Sequence, residues 1–127
     1  MGGAPEKALT DRRVLVAEDE YFIARDLGRA LHALGAEVVG PVPSVDAVQA
    51  ILAAGEHLDA AILDINLDGG WIFSALADLV ARGIPVVLAT GYEDDALPAE
   101  YRHVPRWQKP FDPSALAEAL PGLLRDR

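Results

Sequence analysis

Ala60-Ala61-Ile62-Leu63-Asp64 is an apolar run that closes on one carboxylate, and Ile65-Asn66-Leu67-Asp68-Gly69-Gly70 follows it directly. Such a run reads as a strand covered on both faces, the pattern of a parallel sheet. The turn-forming residues behind it leave Asp64 at the exposed end of that strand. Val14-Leu15-Val16-Ala17 runs in the same way into Glu18-Asp19-Glu20, and Pro85-Val86-Val87-Leu88-Ala89 into Thr90-Gly91. A shorter run from Val104 to Gln108 leads to Lys109. In an open parallel sheet the carboxyl ends of the strands share one edge, where ligand sites lie. The chain therefore brings an acid triplet, a lone Asp, a hydroxyl and an amine toward one place.

Helical spacing fills the gaps between these runs. Phe22, Ile23, Leu27, Ala30, Leu31 and Leu34 predict a helix over 21–34 that stops at Gly35. A short strand is predicted over 37–39 and broken by Pro41 and Pro43, after which Ser44 caps a helix reaching Ala54. The third strand is placed at 59–64, a helix at 72–81, the fourth strand at 84–89 and the fifth at 104–108. Only a short or frayed helix is expected between 91 and 102, where Gly91, Pro98 and Glu93-Asp94-Asp95 interrupt the pattern. Asp112-Pro113 opens a last helix to about Leu124, with Pro121 predicting a kink or an early end. Five strands alternating with helices predict an α/β fold, a three-layer doubly wound parallel sheet with right-handed crossovers. Residues 1–10, with Gly2, Gly3 and Pro5, are expected to be a disordered leader, and 11–127 one folded domain.

The 127 residues suit a single core, and the net charge of −9 argues against binding to nucleic acid or an anionic membrane. With no cysteine, disulfides and thiolate chemistry are excluded. No apolar signal segment or membrane-length run is present, so the expected location is cytoplasmic.

Glu18, Asp19 and Asp64 gathered in one pocket repel one another unless a cation sits among them. Hard oxygen donors of this kind select Mg²⁺. Lys7 and Lys109 are the only lysines, and Lys109 is the one that could reach the pocket. Thr90 adds a hydroxyl, and Gly91 beside it permits close backbone approach. These groups supply what a phosphoryl group on Asp64 would need, with Asp64 as nucleophile. Alone, a strand-end Asp is ordinarily a turn or capping residue. It is the combination with Glu18, Asp19 and Lys109 that favours chemistry.

Glu18-Asp19 after strand one, Asp64 after strand three, Thr90 after strand four and Lys109-Pro110-Phe111 after strand five together resemble the receiver domains of bacterial two-component response regulators. The resemblance covers the chain from Val14 to the last helix and implies a flavodoxin-like, CheY-like fold with strand order 2-1-3-4-5. It further implies phosphoryl transfer from a histidine kinase to Asp64 and Mg²⁺ held by Asp19, Asp64 and the Asn66 backbone carbonyl, with Glu18 acting through water. Lys109 would contact the phosphoryl group, Thr90 would swing toward it, and the Lys109-Pro110 bond would be cis. Arg106 departs from the family pattern, standing where an aromatic switch residue is usual. Leu88-Ala89-Thr90-Gly91-Tyr92 resembles a Phe-Ala-Thr-Gly-Tyr subset often partnered with kinases of the HWE or HisKA_2 type, with Leu88 where that motif has Phe.

Strand alternation sets Arg106 opposite Trp107 and Lys109, toward Glu93, Asp94 and Asp95, with which it is expected to pair. Asn66 and Tyr92 flank the approach of a hydrolytic water and are expected to modulate phosphate lifetime. His32, His57 and His103 have no metal-site spacing, and Trp71 and Trp107 read as packing residues, with Trp71 also able to line a docking surface. The reading is a stand-alone phosphoreceiver, monomeric or a weak dimer, signalling to a downstream protein or phosphotransferase or draining a kinase. Alternatives are an aspartyl-phosphate hydrolase, which wants Asp-x-Asp after strand one, and a degenerate phosphate-independent binding domain. A flavin carrier would need a Ser/Thr/Gly-rich loop after strand one, which is absent.

Overall fold

Two strands, β3 (Ala60–Asp64) and β6 (Val86–Thr90), are buried at every position. The computed structural model, which describes residues 7–67, 70–91 and 98–125, places them side by side at the centre of a five-stranded parallel sheet. Outward from β3 lie β1 (Arg13–Ala17) and the edge strand β2 (Glu37–Val42), and beyond β6 lies β7 (Arg106–Gln108). Two further strands, β4 (Asn66–Leu67) and β5 (Gly70–Trp71), form a separate antiparallel hairpin directly after β3. The sheet order β2-β1-β3-β6-β7 is the expected 2-1-3-4-5 order when sheet strands alone are counted.

Alternation along the strands feeds two cores. Leu15, Ala61, Leu63, Val86 and Leu88 face α2 (Val45–Ala53) and α3 (Phe73–Ala81), meeting Val48, Leu52, Leu76 and Leu79. Val14, Val16, Ala60, Ile62 and Val87 face α1 (Tyr21–Ala33) and α4 (Pro113–Arg125), meeting Leu27, Leu31, Leu116 and Leu120. Each fully buried leucine contributes about 1.5–3 kcal/mol of burial. Trp107 packs on the second core with its ring edge against Phe111, whereas Arg106 is exposed, as alternation requires.

Local chemistry explains the element ends. Ser44 Oγ accepts the Ala47 N–H at 3.2 Å, Asp112 Oδ1 accepts the Ser114 N–H at 3.0 Å, and Pro113 is the first residue of α4. Gly35 closes α1 at φ +95°, where a Cβ would also lie 2.8 Å from Thr10 Oγ1.

Several expectations need correction. The folded part begins before residue 11: Leu9 is wholly buried in the second core and its N–H donates to the Leu34 carbonyl at 2.8 Å. Residues 1–6 lie outside the described residues. β2 does not stop at Pro41. Gly40, at φ +100° and followed by a cis Gly40-Pro41 bond, bulges so that Ala17 pairs with Val42, and a Cβ there would sit 2.8 Å from the Val42 nitrogen. α4 continues through Pro121 to Arg125. Phe22, assigned to the apolar stripe of α1, is 65% exposed, whereas Leu27 and Leu31 of that stripe are buried, together with Ala24. Between β6 and β7 the described residues hold only a 3-10 turn, Ala99–Tyr101.

Candidate functional site

Strand register assembles the site. Ala17 pairs with Leu63, so Glu18 comes beside Asp64, and Asp64 in turn pairs with Ala89, next to Thr90. Thr90 pairs with Gln108, which sets Lys109 just past the end of β7. The Lys109 N–H donates to the Thr90 carbonyl at 2.7 Å. The cis Lys109-Pro110 bond is as expected.

The Lys109 ammonium lies 2.9 Å from Asp64 Oδ2, 2.9 Å from Glu18 Oε1 and 3.3 Å from Glu20 Oε2. The Glu20 contact was not foreseen, although Glu20 completes the acid triplet after β1. Glu18 is nearly inaccessible, with its main-chain N–H on the Val42 carbonyl and its carboxylate accepting the Glu20 N–H at 3.0 Å. Asp64 Oδ1 accepts the Asn66 N–H at 3.1 Å. Asp19 is exposed, yet one carboxylate oxygen from each of Glu18, Asp19 and Asp64 falls within 4.8 Å of the others. Among the described residues this is the group of acids and histidines that could hold a metal ion.

Burial pushes the Glu18 carboxyl up to about 7, and the Asp64 charge adds to the rise against the bonds from the Glu20 N–H and Lys109. Burial opposes the charge on Lys109, but its bonds to Asp64 and Glu18 outweigh that and hold the ammonium above its ordinary range. Among the described residues one fixed cation faces Glu18, Asp19, Glu20 and Asp64, which leaves negative charge in excess. A hard divalent cation with oxygen ligands fits that donor set.

The structure brings Glu18, Asp19, Asp64 and Lys109 together, with Asn66 joined to Asp64 through its main chain. Thr90 is buried at the end of β6 and touches the group through its carbonyl. Among the described residues its hydroxyl makes no hydrogen bond to the acids. Tyr92 and the acids Glu93, Asp94 and Asp95 expected to pair with Arg106 lie outside the described residues. Trp71 is not a core residue: it is 52% exposed, at the end of the β4–β5 hairpin, with its ring stacked on Phe73. His57 Nε2 lies 3.1 Å from Asp59 Oδ1 at the opposite edge of the sheet.

A doubly wound parallel sheet with an acid group and a lysine at its carboxyl edge defines the CheY-like class of flavodoxin-like domains. No family model matches the chain. SdrG from Sphingomonas melonis Fr1, a solution structure, is 42% identical with a TM-score of 0.75, the match covering 92% of this chain and 98% of SdrG. The receiver domain of PhyR from Erythrobacter litoralis is 25% identical with a TM-score of 0.78, covering 91% and 92%. The transcriptional regulatory protein PdtaR of Mycobacterium tuberculosis is 28% identical over 118 residues, 91% of this chain and 57% of PdtaR. The chain thus spans a little over half the length of the curated relatives it matches. It belongs to the receiver domains of response regulators, the signalling modules of two-component systems. These relatives are signalling domains, not enzymes.

Proposed function

We propose that the chain is a phosphoreceiver that takes a phosphoryl group from the phosphohistidine of a histidine kinase onto Asp64. The observation that carries this reading is the meeting of Asp64, Glu18 and Lys109 at one sheet edge, with the Lys109 ammonium 2.9 Å from both carboxylates. An Asp64 oxygen attacks phosphorus while the P–N bond to the imidazole breaks. The ring nitrogen keeps the electron pair and takes up a proton. Lys109, held by two acids, offsets charge on the transferred oxygens, and the Thr90 hydroxyl donates to one of them. Asp19, Asp64 and the Asn66 carbonyl would hold Mg²⁺, with Glu18 acting through water. The ion would supply charge neutralisation at the phosphoryl oxygens. Loss of the group is attack by water on phosphorus, with Asn66 flanking its approach.

The similarity to SdrG, for which a BeF3-activated conformation is known, supports an activation-competent receiver. On this reading the chain is a cytoplasmic receiver. It acts by phosphorylation-dependent binding to a downstream protein or as a phosphate shuttle or sink. The Leu88-to-Tyr92 motif points to a kinase of the HWE or HisKA_2 type. Incubation with acetyl phosphate and Mg²⁺ followed by intact mass tests the proposal. One phosphoryl adduct is expected on the parent and none on Asp64→Asn. An unlabelled parent, under conditions that label another receiver, would leave a phosphate-independent binding domain as the reading.

A further inference from the structure

The hairpin after β3 pairs Asn66 with Trp71 and Leu67 with Gly70. The Ile72 N–H donates to the Ile65 carbonyl at 3.0 Å, one step outside the Asn66–Trp71 pair. That pair is therefore of the non-hydrogen-bonded kind, in which side chains come closest and each residue's own N–H and C=O turn away from the partner strand. For Asn66 the outward direction is fixed by its N–H, which donates to Asp64 Oδ1 at 3.1 Å. In extended backbone the N–H and C=O of one residue point to the same side. The hairpin therefore aims the Asn66 carbonyl toward the side occupied by the Asp64 carboxylate.

Two residue pairs are too few to hold such a hairpin alone. Leu67, buried in the first core, anchors its first strand. The second strand is held by aromatic rings. The Trp71 ring lies 5.8 Å from that of Phe73 with the planes 2° apart. Phe73 opens α3 and packs on the first core beside the wholly buried Ile72. Trp71 thus joins the hairpin to the rigid body of the domain while half of its own surface stays in solvent. We infer that Trp71 is a positioning residue for the magnesium site, acting through its cross-strand partner Asn66. The inference rests on Glu18, Asp19 and Asp64 being that site, as proposed above.

Calorimetric titration with Mg²⁺ alone, without a phosphodonor, tests it on the parent, Trp71→Ala, Trp71→Phe and Asp19→Asn. Trp71→Ala is expected to bind about tenfold more weakly, in the range seen when outer supports of a metal ligand are removed, while Trp71→Phe stays close to the parent. Amide exchange provides the second readout. In Trp71→Ala the Asn66 amide should exchange faster while the Ile62 and Leu88 amides keep the parent rates. If the parent binds, Asp19→Asn does not, and Trp71→Ala matches the parent, the positioning role is overturned with the site intact. Faster exchange at Ile62 and Leu88 as well would mean general loosening and would also overturn it. A parent that binds no Mg²⁺, or an Asp19→Asn variant that binds as the parent does, removes the underlying site reading.

Discussion

The two ends of the sheet carry the same kinds of charged group, arranged to opposite effect. At the amino-terminal edge Arg13 contacts Glu37 at 3.2 Å and Glu56 at 2.8 Å, donates to the His57 carbonyl at 2.7 Å, and takes Asp59 on its main-chain N–H. Water reaches this network, since the Glu37 side chain is 67% exposed. It staples β1 to β2 and to the loop before β3. At the carboxyl edge Lys109 is, among the described residues, the single fixed cation against Glu18, Glu20 and Asp64, and Glu18 is almost fully enclosed. Buried like charges store unfavourable energy, whereas solvated pairs store little of either sign. The amino-terminal network is therefore structural, and the carboxyl cluster carries the excess negative charge that the proposed cation would offset.

The largest test of this contrast is Lys109→Ala. Removing the ammonium strands Glu18 and Asp64 together, and urea unfolding of the metal-free protein near pH 8 should lose about 3 kcal/mol. A loss below about 1 kcal/mol would erase the distinction between the two edges.

Next comes pH. Because Glu18 titrates at about 7 in the fold against 4.5 when free, its contribution to stability is complete below the lower value. It is lost as pH rises through the upper one. Metal-free stability should fall by about 1–2 kcal/mol across that window, Glu18→Gln should flatten the fall, and Mg²⁺ should recover it above pH 7. A parent profile unchanged by Glu18→Gln would contradict the assignment.

Arg13→Ala should lower the unfolding free energy by less than Lys109→Ala does, because its partners can turn to solvent. Glu37→Gln should lower the unfolding free energy least, by under about 0.5 kcal/mol, and raised salt should erase even that.

The sheet could be read directly from the chain because each central strand is an uninterrupted apolar run ending in a polar group, so strand position and site position are one signal. Ser44 and Asp112-Pro113 carried equally local information about helix starts. What escaped is held by tertiary contact. The Asn66–Trp71 hairpin has two-residue strands, too short for any periodicity to register. Leu9 is one apolar side chain in a stretch whose glycines and proline dominate its composition. Pro41 reads as a strand terminator, yet the Gly40 bulge lets β2 continue to Val42, and Glu18 hangs from that continuation through the Val42 carbonyl. At the site, the acids and Lys109 were legible from order and spacing. The grip of Glu20 on Lys109 was not, since it depends on the direction of one side chain.

Asp64 ends a strand wedged between β1 and β6, each of whose middle residues belongs to one of the two cores. Displacing that strand would open both cores together, a penalty far above what a change of charge on one carboxylate delivers. The floor beneath residue 64 is thus an anvil, fixed from both sides whatever charge its end carries.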